Sequence, residues 1–180
     1  RLKPLPDIWV VSDARNDAAL EGALKQLPRG SGLIFRHYHL PEERRRARFA
    51  ALLRLARSRG HLVALAGDAR TARHWGADAA YGPAAMLAAG PALPRLVTAH
   101  SLHELGRASR AYAVLLSPVF PTRSHPGATT LGVLRFRLLA ARSSLPVIAL
   151  GGLNAPAARR LKWPRWAAID AFCDKATRRK

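Results

Sequence analysis

Cysteine, lysine and acidic residues are all scarce in this chain of 180 residues. A single cysteine, Cys173, excludes an internal disulfide and a thiolate zinc cluster. The absence of an H-E-x-x-H motif or a carboxylate cluster gives no ground for a transition-metal site. There is no long apolar run. The stretch 79–94 is free of charge but is broken by Gly82, Pro83, Gly90 and Pro91, so it reads as turns rather than a membrane span. With no membrane segment and no recognisable signal peptide, the expected location is the cytoplasm. Hydrophobic residues at 49% and charged residues at 23% exclude disorder as a description of the chain.

Arginine is abundant. Lys+Arg number 30 against 11 Asp+Glu, a formal charge of +19, and only five lysines contribute. Such a field attracts anions, either nucleic acid or a phosphorylated substrate. The preferred reading is a generally arginine-rich composition, with many arginines on the solvated face of one helix, 41–59. A nucleic-acid module is the disfavoured alternative.

Short β-rich runs alternate with helical ones. Strands are expected over 7–13, 32–37, 61–66, 78–82, 95–100, 111–116, 146–150 and 167–170. Helices are expected over 17–27, 41–59 with Pro41 at N1, 69–75, 83–89, a segment capped by Ser101 with Glu104 at N3, 131–142 and 155–161. The second, third, sixth and seventh strands are continuous apolar runs, as parallel strands buried on both faces should be. Eight β-then-α units predict a compact (β/α)8 TIM barrel forming one domain over 1–180, with 171–180 as a basic tail. An open doubly wound sheet is the lesser alternative, because no G-x-G-x-x-G follows the first strand. Barrels usually take about 250 residues, so two helical units here must be very short.

Barrel function sits where the strands end at their carboxyl termini. Those positions carry Asp13, Arg36, His37, Tyr38, Gly67, Asp68, Tyr81, Thr98, His100, Ser117 through His125, Gly151, Gly152 and Asp170. Gly151-Gly152 permits close backbone approach to a phosphate, or is an ordinary strand exit. Thr122, Arg123, Ser124 and His125 all offer donors to an anion. His125 also suits general acid–base work. For His100 a structural hydrogen bond is at least as good a reading as catalysis. His37, His39, His61, His74 and His103 read as surface or packing residues, and the four tryptophans as packing.

These segments resemble the thiamine phosphate synthase/TenI family of small (β/α)8 barrels. Ile8-Trp-Val-Val-Ser-Asp13 is similar to its opening strand, and Gly76-Ala77-Asp78 to the start of its G-A-D-G-V-H-L-G segment. Thr98-Ala-His-Ser-Leu-His-Glu104 resembles S-x-H-x-x-x-E. Ser117-Pro-Val-Phe-Pro-Thr-Arg-Ser-His125, followed by Leu131-Gly132, resembles G-P-x-F-P-T-x-T-K. Pro146-Val-Ile-Ala-Leu-Gly-Gly-Leu153 resembles P-V-x-A-I-G-G-I. The likeness runs in order from Ile8 to Asp170.

The resemblance implies an enzyme that joins a hydroxymethylpyrimidine pyrophosphate to a thiazole phosphate with Mg2+ assistance. It implies that Thr122, Ser124 and the Gly151-Gly152 backbone hold the thiazole phosphate, with Arg123 beside them. Arg36, Thr98 and His125 then face the pyrophosphate. Asp13, Tyr38 and His100 are further candidates, and a homo-oligomer is left open. The departures fall on the pyrophosphate side. The family's Q-x-R-x-K keeps only Arg36, with Ile34 and Tyr38 at the flanking places. Its Asn-Asp appears as Ala66-Gly67 with Asp68 one place late, the one weak candidate for Mg2+. Its Gln-Glu-Asp appears as Pro83-Ala-Ala85, and its loop lysine is His125. Asp170 near the expected phosphate is unfavourable, unless it caps a last helix. The alternative within the resemblance is a TenI-like thiazole tautomerase with His125 as acid–base, or a non-catalytic binder of thiazole phosphate.

Overall fold

The structure, a computed structural model, describes residues 3–108, 110–124 and 126–172. All eight expected strands form: β1 (Ile8–Val11), β2 (Gly32–Phe35), β3 (Leu62–Ala66), β4 (Ala79–Pro83), β5 (Arg95–Ala99), β6 (Ala113–Leu116), β7 (Val147–Leu150) and β8 (Trp166–Ala168). They pair in chain order, all parallel, and β8 closes on β1 through Ile8↔Trp166, Trp9↔Ala167 and Val10↔Ala168. The fold is the closed (β/α)8 barrel expected from the sequence.

Alternation within each strand builds two cores. Trp9, Val11, Ile34, Ala64, Tyr81, Leu115 and Ile148 point into the barrel. Val10, Leu33, Phe35, Leu65, Val114 and Leu116 pack outward against the helices. Both faces are dry, which is why the strands read as unbroken apolar runs. A large side chain and small ones share the interior. A Cβ on Gly32 would lie 2.1 Å from the Trp9 ring, so the indole occupies the space a side chain would take. Ala64, Ala66, Ala79, Ala113 and Ala167 complete the same cluster. The Trp9 indole N–H donates to Pro6 O at 2.9 Å, which satisfies its one polar atom.

Among the described residues the α-helices are α1 (Leu20–Gln26), α2 (Glu42–Ser58), α3 (Ala69–His74), α4 (Ala84–Leu87), α5 (Leu102–Arg107), α6 (Gly132–Ala140) and α7 (Ala155–Leu161). Several expectations need correction. The helix expected over 17–27 is a 3-10 segment, Ala14–Ala19, running into α1. Asp13 caps that segment by accepting from Arg15 N, and Asn16 answers by accepting from Asp13 N at 2.8 Å. Pro41 is the N-cap of α2, with ψ 150°, rather than its first helical residue. Ser101 accepts from Glu104 N at 3.3 Å, but the Glu104 carboxylate turns to His100 N at 2.9 Å instead of completing a capping box. The last strand starts one residue earlier than expected and ends at Ala168; Asp170 pairs with Arg15, and any helix it was expected to cap lies outside the described residues.

The arginines of α2 are not all solvated. Arg45 Nε donates to Arg36 O at 2.8 Å and its Nη2 to Ala66 O, so it ties the ends of β2 and β3 together. It lies over the rings of Phe35, Tyr38 and Trp75. Arg48 binds Asp17 at 2.7 Å and also pairs with Glu21. Among the described residues, no helix is long and apolar enough to cross a membrane.

Candidate functional site

A cavity of about 1180 Å3 opens at the carboxyl ends of the strands. The loop 117–131 forms one side of it. This loop sits on the exit of β7 through hydrogen bonds from Val119 N to Leu150 O (2.9 Å) and Phe120 N to Gly151 O (3.1 Å). The glycines make that seat possible. A Cβ on Gly151 would come within 2.7 Å of Pro118 Cα, and one on Gly152 within 2.4 Å of Pro121 O. Both residues also have positive φ, at 99° and 63°. The Gly-Gly pair therefore serves the approach of protein backbone, whatever it also does for a ligand.

Most of the residues singled out in the sequence converge on this cavity. Thr122, Arg123, Ser124, Gly151 and Gly152 line one side, and Arg36, Thr98 and His100 are also in its wall. His125 lies outside the described residues. Tyr38 is not in the wall; it is 65% exposed and lies under Arg45. Asp68 is not there either. One of its oxygens accepts from Arg70 N and Thr71 N and the other from Thr71 Oγ1, so it caps α3. The Thr71 N–H heads the contacts that lower its pKa. None of the four tryptophans reaches the wall.

Asp13 stands behind Arg36 and fixes it. Arg36 Nη2 donates to Asp13 Oδ2 at 2.8 Å and Arg36 Nε to Ser12 O at 3.2 Å. Partial burial pushes the Asp13 carboxyl pKa up, but the Arg15 N–H and the Arg15 and Arg36 charges outweigh it and hold the group below its usual value. His100 donates from Nδ1 to Ser117 O at 2.8 Å and also lies in the cavity wall. Tyr81, deep in the wall, has its phenol pKa pushed to about 12 by burial, so it is neutral and able to donate.

Arg15 is the residue that sequence reasoning missed. It lies in the cavity wall, with its Nη2 donating to Ser124 Oγ at 3.2 Å. Its Nε stands 3.6 Å from both Asp13 Oδ1 and Asp170 Oδ1. It thus links the exits of β1 and β8 to the loop after β6. The signal was a basic residue two places after Asp13, in the loop at the functional end of β1. Arg135 on α6 is in the wall as well. The described wall therefore presents Arg15, Arg36, Arg123 and Arg135 against one carboxylate, Asp170. A wall with that excess of positive charge is one that attracts anions.

Three solved structures show how widely this fold is shared. A thiamine phosphate pyrophosphorylase from Pyrococcus furiosus matches with TM-score 0.78 at 24% identity, over 95% of this chain and 89% of that one. An HpcH/HpaI aldolase/citrate lyase family protein from Burkholderia cenocepacia J2315 matches with TM-score 0.63 at 15% identity, over 94% and 90%. A thiamine phosphate pyrophosphorylase from Bacteroides thetaiotaomicron matches with TM-score 0.58 at 14% identity, over 98% and 90%. At these identities the likeness is one of fold. No curated protein sequence is similar enough to count as a match. A family match decides the lineage: residues 8–169 fit TMP-TENI, thiamine monophosphate synthase, and the chain belongs to that family.

Proposed function

We propose that this protein is a thiamine phosphate synthase-like transferase that joins a hydroxymethylpyrimidine pyrophosphate to a thiazole phosphate in the cavity at the barrel mouth. The observation that carries this reading is that one cavity gathers both sets of motif residues. Thr122, Ser124, Gly151 and Gly152 lie with Arg36 and Thr98 around a space of about 1180 Å3. That space exceeds the roughly 300–1,000 Å3 of ordinary small-molecule pockets, so two small ligands have room in it.

In this reading the Thr122 and Ser124 hydroxyls, the Arg123 guanidinium and the Gly151-Gly152 backbone hold the thiazole phosphate. Arg36 and Thr98 face the pyrophosphate. The bond from the pyrimidine methylene carbon to the pyrophosphate oxygen breaks, and its electron pair leaves with the oxygen. The thiazole nitrogen lone pair then forms the new C–N bond. The protein's part is to stabilise the growing negative charge and to align the two reactants. His125 is proposed to donate to the departing group.

The test mixes the purified protein with both substrates and quantifies thiamine phosphate. Arg36→Ala and His125→Ala should each lower the rate by about 100-fold, the scale for removing one preorganised donor. No product above an enzyme-free control overturns the joining reaction. A thiazole tautomerase with His125 as acid–base is then the reading to pursue. One observation favours it: two acids near the mouth are already engaged, Asp13 with Arg36 and Glu104 with His100 N, which leaves few carboxylates for the Mg2+ assistance that the joining reaction implies.

A further inference from the structure

Magnesium binding asks for one or two carboxylates free to face the cation, along with phosphate oxygens and water. The residues here do not fit that demand. Among the described residues, no group of three or more His, Cys, Asp or Glu side chains comes together as a metal site. Asp68, the carboxylate nearest in sequence to the family's acidic pair, spends both oxygens on the start of α3. Asp13 has one oxygen 2.8 Å from Arg36 Nη2 and the other accepting from Arg15 N. Asp170 faces Arg15. A divalent cation would also enter a wall holding four arginines and one carboxylate, where like charge repels it.

The same wall suits a phosphate with no metal. Arg15 is the centre of that arrangement. Its guanidinium hydrogen-bonds Ser124, a loop hydroxyl aimed at the same space. Its Nε lies 3.6 Å from Asp13 and from Asp170, an ion-pair distance too long for a hydrogen bond. A planar fork of donors in that state gains from an oxyanion able to accept at full strength. Asp13 and Asp170 then act as counter-ions that hold Arg15 in place until the ligand arrives.

We infer that the barrel mouth binds phosphate and pyrophosphate groups without a divalent cation, and that Arg15, beside Arg36, supplies the charge a metal would otherwise supply. The inference rests on the mouth being the ligand site proposed above, but not on the joining reaction. The test is titration calorimetry of the intact protein with inorganic phosphate and with inorganic pyrophosphate, in EDTA and in excess Mg2+. Affinity in EDTA should lie within about threefold of that in Mg2+. Arg15→Ala should weaken binding by at least fivefold, Arg15→Lys should restore part of it, and Arg73→Ala, on the exposed face of α3, should change nothing. A thermal melt of each variant separates lost binding from lost folding. Binding that appears only with Mg2+, that is absent in EDTA, or that a folded Arg15→Ala variant retains to within fivefold overturns the inference. If metal-free binding holds and no thiamine phosphate forms, only the joining reaction fails.

Discussion

His37 occupies a place where one proton matters. Its ring is buried against Phe35, at 4.6 Å between centroids, in the layer between barrel and helices. Asp17 can only accept, so His37 Nε2–H donates to it at 2.7 Å, leaving Nδ1 to accept the Ser12 hydroxyl proton at 2.8 Å. Ser12 Oγ in turn accepts from Arg36 N at 2.7 Å, so the chain of bonds reaches the cavity wall. Burial lowers the His37 pKa, and the Asp17 contact only partly offsets it, while His39 and Arg48 push in the same direction as burial. A folded-state value below the unfolded one of about 6.5 means the unfolded chain binds the proton first. Stability is therefore full above about pH 6.5 and falls as the pH drops through the folded value. Denaturant midpoints at about pH 7.5 and about pH 5.5 should show that loss, and His37→Asn should reduce it. Asparagine tolerates the left-handed backbone here, where φ is 41°. His61, also buried and also lowered by its burial, should account for part of what remains.

At the scale of elements, the loop 117–131 and the exit of β7 are one unit. Gly152→Ala would place a Cβ 2.4 Å from Pro121 O, at a backbone φ of 63°. Gly60 has a similar φ of 72° with nothing within 4 Å, so Gly60→Ala isolates the backbone part of the cost. Gly60→Ala should cost about 1 kcal/mol, and Gly152→Ala about 1–3 kcal/mol more, from overpacking. Only Gly152→Ala should also weaken phosphate binding; melts and calorimetry on the two variants check this. The strands were legible in the sequence because β-branched and apolar runs at the right spacing leave little choice, and their order followed from the βα alternation. The site loop was legible as a dense run of donors from Thr122 to Ser124. What escaped was carried by long side chains crossing between elements. Nothing local marks Arg48 as the partner of Asp17 and Glu21, 31 and 27 residues away. The same holds for Arg15 reaching Ser124 across 109 residues, or for Arg45 tying two strand ends. Tyr38 and Asp68 look like site residues in sequence because they follow strands. The chain turns them to Arg45 and to the start of α3 instead.

The whole molecule carries a formal charge of +19, with 30 Lys+Arg against 11 Asp+Glu, so carboxylates are too few to match its cations one for one. Self-repulsion of this size opposes the compact state. Raising NaCl from about 20 mM to about 300 mM shortens the screening length severalfold and should raise the Tm by a few degrees, equivalent to about 1 kcal/mol. Arg15→Ala should show the same rise, because the effect belongs to the net charge and not to the phosphate site. A neutral osmolyte matched in osmolality should not reproduce the dependence on ionic strength. A Tm that is flat or falling with salt would place the arginines in compensated pairs instead.

Trp9 gives the barrel its floor. The indole is wholly buried, and the Gly32 backbone lies against its ring, so the lower half of the barrel is solid protein. The cavity at the mouth therefore lies above a layer filled by the Trp9 indole. For the two ligands proposed above, the order of arrival and departure would follow from which of them lies nearer that layer.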